Sequence, residues 1–336
     1  MLILEDIHKT FHPGRGLGQD ISAWLKRLSG RGRESTGVQA VRGVSLSTRP
    51  GEILGLVGES GSGKSTLGRI LAGLYQPDQG RVLFGDQDLA RMKGRERKAF
   101  RRRVQIMFQD PVSSLNPRLT AGAMVEEGLV IHRLGSAGER RQRVDQLLEE
   151  VGLPPDTRPR YSHEFSGGQR QRLSLARALA LDPEILIADE PVSALDVSIQ
   201  AQIINLLMDL RASRGLTLIL VSHDLPLVRI MADRVAVMYG GRLMEVVDKS
   251  LLPEAPHHPY VLSLMASAER AGLTGGRLLE GEPPDPQNPP PGCPFQPRCD
   301  EALEICGRDM PPLIDHRPGF ACACHRRGEA GGPGKN

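Results

Sequence analysis

The segment "GESGSGKS", residues 58–65, is the clearest indication of the fold because of the residues on either side of it. The run before it, "EILGLVG", is almost continuously apolar, as expected for a central parallel strand that is covered on both faces. After it, apolar residues recur at Leu67, Ile70, Leu71 and Leu74. This spacing predicts a helix with one buried face. A glycine-rich loop between a strand and a helix is typical of a phosphate-binding site.

This phosphate loop, residues 58–65, predicts binding of a nucleoside triphosphate with Mg²⁺. Its glycines let the backbone wind around phosphates with the N–H groups pointing inward, and the helix that follows adds the positive end of its dipole. Lys64 is expected to reach the β- and γ-phosphates, and the Ser65 hydroxyl to hold Mg²⁺. The residues predicted to bind nucleotide here are Gly58, Ser60, Gly61, Ser62, Gly63, Lys64, Ser65 and Thr66.

A second apolar run, "ILIADE" at residues 185–190, ends in two acidic residues. If it forms a strand beside the first one, these carboxylates arrive at the edge of the sheet that carries the phosphate loop. Asp189 is then expected to bind Mg²⁺ through water, and Glu190 to orient and deprotonate the attacking water. General-base assistance of this kind is typically worth about 10²–10⁴ in rate.

Composition and charge narrow the class of protein. The 336 residues are 39% hydrophobic and 25% charged, which are ordinary values for a globular chain. The net charge of +3 is small, so we expect no nucleic-acid partner. No apolar run approaches the roughly 18–20 residues of a membrane-spanning helix, and the beginning of the sequence lacks the basic start of a secretory signal. We therefore expect a cytoplasmic protein whose membrane role, if it has one, comes through partners.

Strand-like and helix-like segments alternate over residues 1–250, which predicts an α/β domain around a mainly parallel sheet. Residues from about 110 to 180 are helical in period, with Val144, Leu147, Leu148 and Val151 on one stripe. A Gly- and Arg-rich insert at about 12–37 contains "ISAWLKRL", either a surface loop or a short amphipathic helix. From residue 251 to 336 the pattern fades into a C-terminal extension with a proline-rich linker, "EGEPPDPQNPPPG", and a cysteine cluster.

A second glycine-rich turn, "FSGGQ" at residues 165–169, would be redundant for one nucleotide. Together with the phosphate loop, Gln109, "ILIADE", "SALD" at 193–196 and His223, it follows the motif order of the ATP-binding cassette (ABC) family, which residues 1–250 resemble. The resemblance implies an ABC-type P-loop ATPase with a mainly parallel core sheet, an antiparallel β subdomain and a helical subdomain. It also implies that two cassettes close head to tail around two ATP molecules. The signature loop, Ser166, Gly167, Gly168 and Gln169, would then cap the γ-phosphate held by the partner cassette.

The same resemblance assigns roles to single residues. Phe11 stands where the family has an aromatic that stacks on adenine, although packing in a core is the alternative. Gln109 would touch Mg²⁺ and link the site to the helical subdomain, and Asp196 would cross the dimer interface. His223 would sense the γ-phosphate. The residues predicted to act in catalysis are Glu190, His223 and Lys64.

Three further stretches resemble the branch of the family that serves dipeptide, oligopeptide and nickel uptake in bacteria. They are "FQDPVSSLNPR" at 108–118, "HHPYVLSLMASA" at 257–268 and "NPPPGCPFQPRC" at 288–299. The likeness implies an importer ATPase, most simply for di- or oligopeptides, at the cytoplasmic face of the inner membrane. Its partners would be a paired ATPase in a heterodimer, two membrane permease subunits and an external substrate-binding protein. A nickel or glutathione importer is an alternative, as is a non-transport ABC ATPase acting on nucleic acid or in cluster assembly.

All five cysteines fall in the C-terminal extension, at Cys293, Cys299, Cys306, Cys322 and Cys324. In a cytoplasmic ATPase such clustering indicates metal or redox chemistry rather than disulfides. Four thiolates suit Zn²⁺ or an iron–sulfur cluster, and the wide gaps fit a structural zinc site poorly. The importer branch implies a [4Fe–4S] cluster, for which we predict Cys293, Cys299, Cys306 and Cys322, with Cys324 competing for the fourth place. Cysteines that are merely packed are the remaining alternative.

Overall fold

The computed structural model describes residues 1–12, 37–193, 195–253, 255–270 and 281–327, with the backbone alone for 268–270. The insert's "ISAWLKRL" lies outside the described residues. The strands are β1 Leu2–Phe11, β2 Val38–Ser47, β3 Ile53–Val57, β4 Gln79–Phe84, β5 Gln87–Asp88, β6 Val104–Met107, β7 Ile185–Asp189, β8 Thr217–Ser222, β9 Arg234–Tyr239, β10 Arg242–Asp248, β11 Ile314–Arg317 and β12 Phe320–Cys322. The helices are α1 Lys64–Leu71, α2 Gly94–Arg103, α3 Pro111–Ser114, α4 Ala121–His132, α5 Ala137–Glu150, α6 Gly167–Leu179, α7 Val197–Arg214, α8 Leu225–Met231 and α9 Pro259–Arg270.

Two sheets carry the fold. A four-stranded antiparallel sheet has the order β2-β1-β4-β5. A larger sheet has the order β11-β12-β10-β9-β3-β8-β7-β6, and β9, β3, β8, β7 and β6 within it run parallel. The predicted α/β architecture with a mainly parallel core sheet and an antiparallel subdomain is confirmed.

The central strands are buried on both faces, as their apolar runs predict. Along β3, Ile53 and Val57 belong to one core, which also includes the buried faces of helices α4, α5 and α6. Leu54 and Leu56 point the other way, into a core shared with the antiparallel sheet and helix α1. Successive side chains of a strand point to opposite faces of the sheet, so β3 contributes to both cores. The larger sheet therefore lies between the helices on one face and the antiparallel sheet with α1 on the other.

Among the described residues 110–180, the range predicted for the helical subdomain, helices and short 3-10 turns occur and no named strand does. The stripe of Val144, Leu147, Leu148 and Val151 is fully buried. The stripe predicted for α1 is wrong at its last position. Helix α1 ends at Leu71, Gly73 adopts a left-handed φ of 68°, and Leu74 is left 48% exposed.

The C-terminal extension continues the core sheet, which the sequence pattern did not predict. Strand β12 pairs antiparallel with β10, with Cys322 opposite Glu245, and β11 pairs with β12 at the edge. Over the described parts of the chain, no helix has the length and apolar content needed to cross a bilayer.

Candidate nucleotide-binding and catalytic site

The phosphate loop connects the carboxyl end of β3 to the first turn of α1, as predicted. Gly63 precedes the helix with a φ of 100°, and a Cβ built on it would lie 2.1 Å from the carbonyl oxygen of Ala40. Only glycine fits there. Ser60 and Gly61 are exposed at the tip of the loop, and Thr66 lies in the first turn of α1.

Lys64 is buried under the loop. Its Nζ donates to the carbonyl oxygens of Gly58 at 2.7 Å and Glu59 at 2.8 Å. Burial lowers the pKa of Lys64, against the opposing effect of the carboxylates of Glu190, Asp189 and Glu59. Burial removes water from the Lys64 ammonium group and so disfavours its charge. A negatively charged phosphate beside it would stabilise that charge, so the site favours an anionic ligand.

Ser65 and Asp189 meet at the foot of the loop. The Ser65 Oγ donates to Asp189 Oδ1 at 2.9 Å, while Asp189 Oδ2 is buried and has no hydrogen-bond partner among the described residues. Burial raises the pKa of Asp189, although the hydrogen bond from Ser65 acts in the opposite direction. A hydroxyl and a buried carboxylate oxygen without a partner are hard oxygen ligands of the kind that Mg²⁺ prefers. These residues therefore fit the predicted metal.

Glu190 stands directly after β7 and is held by two side chains. Its Oε2 accepts from Gln109 Nε2 at 2.7 Å, and its Oε1 lies 3.2 Å from His223 Nδ1. The backbone of Glu190 has a left-handed φ of 46°, a conformation that is strained for a residue with a side chain. Strain of this kind clusters at functional sites, where the surrounding structure holds it in place. The structure thus brings together Gln109, Glu190 and His223 from three separate parts of the sequence.

The signature loop begins helix α6. Ser166 is the N-cap, with its Oγ accepting from the N–H of Gln169 at 3.3 Å, and Gln169 Oε1 accepts from the N–H of Ser166 at 3.0 Å. Ser166 and Gly167 are exposed, whereas Gly168 is buried so closely that an added Cβ would lie 2.6 Å from Ile199 Cγ2. The loop is a capped helix N-terminus, and its first residues, Ser166 and Gly167, face the solvent.

Phe11 and Asp196 lie at the surface. Phe11 is 36% exposed at the end of β1, and its ring meets the edge of Tyr75 with the ring centroids 5.4 Å apart. The alternative of packing in a core is therefore wrong. Asp196 is the exposed N-cap residue of α7 but makes no capping hydrogen bond with its side chain.

Cysteines from the extension line one small cavity, together with His258 and Glu301. Its thiols belong to Cys293, Cys299, Cys306 and Cys324. Cys322, predicted as the fourth ligand, does not line the cavity, because it is fixed in β12 opposite Glu245. Burial raises the pKa of Cys293 to about 11 and also raises the pKa of Cys299 and Cys324. In the described ranges, no three His, Cys, Asp or Glu side chains are arranged to hold a single metal ion.

His257 and His258 anchor the extension rather than reaching for a metal together. His257 Nδ1 lies 2.6 Å from Glu245 Oε1 and its Nε2 lies 2.7 Å from the carbonyl oxygen of Leu252. The Nδ1 of His258 accepts from the N–H of Tyr260 at 3.0 Å. Both rings are buried, and the pair ties the start of α9 to β10.

Sequence reasoning missed that the extension touches the phosphate loop. The N–H of Glu59 donates to Tyr260 Oη at 2.9 Å, and Arg298 Nη1 lies 2.9 and 3.1 Å from the two carboxylate oxygens of Glu59. The sequence held one signal, an arginine with no assigned role inside the quoted stretch "NPPPGCPFQPRC". The stretch itself does not indicate that this arginine pairs with Glu59.

Comparisons with known proteins agree with this geometry. Residues 41–193 match the family model described as ABC transporter, and residues 244–306 match the model described as oligopeptide/dipeptide transporter, C-terminal region. A putative peptide import ATP-binding protein of Brucella ovis is 49% identical over 286 residues, covering 84% of this chain and 90% of that protein. The oligopeptide transport ATP-binding protein AppF of Bacillus subtilis is 46% identical over 314 residues, covering 91% of this chain and 95% of that protein.

Solved structures match at the level of the cassette. A dimeric ATP-binding cassette in a post-hydrolysis state, bound to ADP and Pi, has a TM-score of 0.62 at 30% identity and covers 74% of this chain and 99% of its own. The cbiO1 protein of Clostridium perfringens has a TM-score of 0.60 at 27% identity and covers 75% of this chain and 90% of its own. With the phosphate loop, the buried Asp189 and the contacts of Glu190 with Gln109 and His223 in place, this chain belongs to the ABC transporter family and is an ATP-binding and ATP-hydrolysing subunit that works with Mg²⁺.

Proposed function

We propose that this chain powers the import of di- or oligopeptides. The observation that carries the proposal is the match of residues 244–306 to the C-terminal region of oligopeptide and dipeptide transporters. The relatives named above support it, because their names refer to peptide import and oligopeptide transport and the identity extends over most of both chains.

In the proposed reaction, the backbone of the phosphate loop and Lys64 bind the phosphates of ATP. Ser65 and Asp189 would hold Mg²⁺ together with Gln109, and the bound ion would neutralise charge on the phosphates. Glu190 orients the attacking water and takes its proton. The contacts of Gln109 and His223 with the Glu190 carboxylate hold it in one orientation. His223 also senses whether the γ-phosphate is present. Phe11 contributes an aromatic face for adenine.

We further propose that ATP is shared between two cassettes in a heterodimer. The exposed N-terminus of α6, with Ser166, Gly167 and Gln169, would cap the γ-phosphate held by the paired ATPase, with Asp196 at the same interface. A shift from mostly open to mostly closed requires roughly 5 kcal/mol of differential binding, which two shared nucleotides can supply.

The proposed assembly places the chain peripherally at the cytoplasmic face of the inner membrane. Two membrane permease subunits and an external substrate-binding protein complete it. Residues 1–250 would form the ATPase unit, with its helical subdomain at 110–180, and residues 251–336 the extension characteristic of the peptide branch.

For the cysteine cavity we propose a [4Fe–4S] cluster, held by Cys293, Cys299, Cys306 and Cys324 rather than Cys322. A zinc ion requires its ligands to converge on one point, whereas a cluster distributes four thiolates over separate irons. Four thiols around one cavity support the second arrangement, and metal binding would reverse the raised pKa values of Cys293, Cys299 and Cys324. Anaerobic purification with iron and sulfide analysis tests this, since colourless, iron-free protein would exclude the cluster.

Two measurements test the transport function. The tagged chain is recovered from detergent-solubilised membranes, where we expect two multi-spanning membrane proteins to accompany it. A deletion strain is then tested for growth on defined di- and oligopeptides, with Lys64→Ala as the control that should not restore growth. Recovery with nucleic acid and without membrane proteins, or peptide uptake that is normal in the deletion strain, would contradict the proposal.

A further inference from the structure

The C-terminal extension grips one residue of the phosphate loop, Glu59, at two points. Tyr260 accepts a hydrogen bond from the Glu59 backbone N–H at 2.9 Å. Arg298 Nη1 lies between the two oxygens of the Glu59 carboxylate, at 2.9 and 3.1 Å. These residues lie about 200 or more positions after the loop, so the contact depends wholly on how the extension folds.

The Arg298 side chain is buried and held by several contacts. The Arg298 side chain is only 6% exposed, and its Nη1 also donates to Tyr239 Oη at 3.0 Å. The rings of Tyr239, Tyr260 and Phe295 pack on one another with centroids 4.5 to 5.5 Å apart, and the guanidinium lies beside two of these rings. These hydrogen bonds and the close packing of the rings hold the Arg298 side chain in one position.

On the side of the loop, Glu59 is tied to the lysine that binds phosphate. Its carbonyl oxygen accepts from Lys64 Nζ at 2.8 Å, and its carboxylate is half-buried and 21% exposed. A half-buried negative charge in an anion-binding loop repels phosphate unless a cation neutralises it, and the Arg298 guanidinium contacts the Glu59 carboxylate at 2.9 Å.

We propose that Arg298 is a positioning residue for ATP binding, which holds and neutralises the Glu59 carboxylate so that the extension sets the affinity of the phosphate loop. The proposal rests on residues 58–65 being the ATP site. Arg298 ends the short 3-10 turn Gln296–Arg298, and Cys299, which lines the cysteine cavity, follows directly. The conformation of the cavity wall and the charge on the loop are therefore linked through one residue.

The test measures MgATP affinity of the full-length chain by calorimetry. Arg298→Ala should weaken binding by about tenfold, because an unpaired carboxylate then stands beside the phosphates. Glu59→Gln should stay within about threefold of wild type, and the double variant should regain most of the affinity that Arg298→Ala loses, since no unpaired charge remains. Arg298→Lys keeps the charge but loses the planar guanidinium that lies beside the rings of Tyr239 and Phe295, so its affinity should fall between those of Arg298→Ala and the wild type.

A matched control is Arg327→Ala. Arg327 is also a half-buried arginine of the extension, but it pairs with Glu301 at 3.0 Å and donates to the carbonyl oxygen of His257 rather than contacting Glu59. Its loss should leave MgATP affinity unchanged. Thermal unfolding of each variant separates a folding defect from a change in affinity.

Three results would overturn the proposal: unchanged affinity in Arg298→Ala, no recovery in the double variant, or an equal loss in Arg327→Ala. The failure of the ATP site itself is distinguishable, since the wild-type chain would then bind MgATP no better than Lys64→Ala does.

Discussion

The substitution Glu190→Gln tests the catalytic assignment most directly. It keeps the size of the side chain and removes its ability to take a proton. In the wild-type protein both carboxylate oxygens are used, one by Gln109 Nε2 and one facing His223 Nδ1. A glutamine has one acceptor oxygen and one donor nitrogen, so its oxygen can accept from Gln109 while its nitrogen keeps the contact with His223 only where Nδ1 carries no proton.

The expected magnitude follows from the loss of the base. Turnover should fall by about 10²–10⁴, which corresponds to about 2.7–5.5 kcal/mol in the activation free energy. Nucleotide binding should not weaken. Lys64 and Ser65 make their hydrogen bonds without Glu190, and removing a negative charge near the phosphates favours an anionic ligand.

Steady-state phosphate release and calorimetric MgATP binding measure the two effects on the same full-length preparations. Glu184→Gln is the matched control, since Glu184 immediately precedes β7, at the end away from Glu190, and forms an ion pair with Arg103. It should leave hydrolysis unchanged. If Glu190→Gln hydrolyses ATP at the wild-type rate, or loses hydrolysis only in proportion to lost binding, Glu190 is not the base.

Three further predictions concern the surface, the cysteines and pH. Ser166→Ala and Ser136→Ala each remove one capping box of the same kind, so each should lower the free energy of unfolding by about 1 kcal/mol, but only Ser166→Ala should weaken ATP-dependent pairing in size-exclusion chromatography. Anaerobically purified Cys324→Ala should lose iron while Cys322→Ala retains it; the reverse would restore Cys322 as the ligand. Burial alone would lower the pKa of His257, but the hydrogen bond with Glu245 and its charge outweigh burial and raise that pKa. The wild-type chain should therefore lose this stabilisation as pH rises above about 6.5 and through the raised pKa, and His257→Gln should give a flatter profile in urea unfolding; equal slopes would contradict the assignment.

The core of the site was predictable because it is built at the ends of parallel strands. Lys64, Glu190 and His223 each follow an apolar run, and runs buried on both faces pair side by side in one sheet. Their carboxyl ends then meet at one edge, so local patterns in three distant segments converge on one place. The hairpin between β9 and β10 was predictable for a local reason too, since Gly240 and Gly241 both adopt a positive φ.

The contacts made by the extension could not be predicted in the same way. Strand β11, "IDHR", is polar and half-exposed or exposed, so it carries no alternation that would mark it as part of a sheet. Cys322 and Cys324 are two residues apart, so a continuous strand would place both side chains on the same face. Strand β12 ends at Cys322, and Cys324 beyond it lines the cavity. The pairing of Arg298 with Glu59 joins residues 239 positions apart, and no local rule connects them.

These contacts decide how the nucleotide site must be studied. A chain cut at residue 250 would lose Tyr260 and Arg298, the hydroxyl and the cation that contact Glu59, and would leave Tyr239 without the rings of Tyr260 and Phe295. It would also expose the edge of β10 that β12 covers, and an uncovered edge strand invites pairing with other chains. Weak ATP binding by such a fragment could therefore come from the unneutralised Glu59 carboxylate or the uncovered edge of β10, and not from the phosphate loop alone. Only variants of the full-length chain separate the contribution of the phosphate loop from that of the extension that holds it.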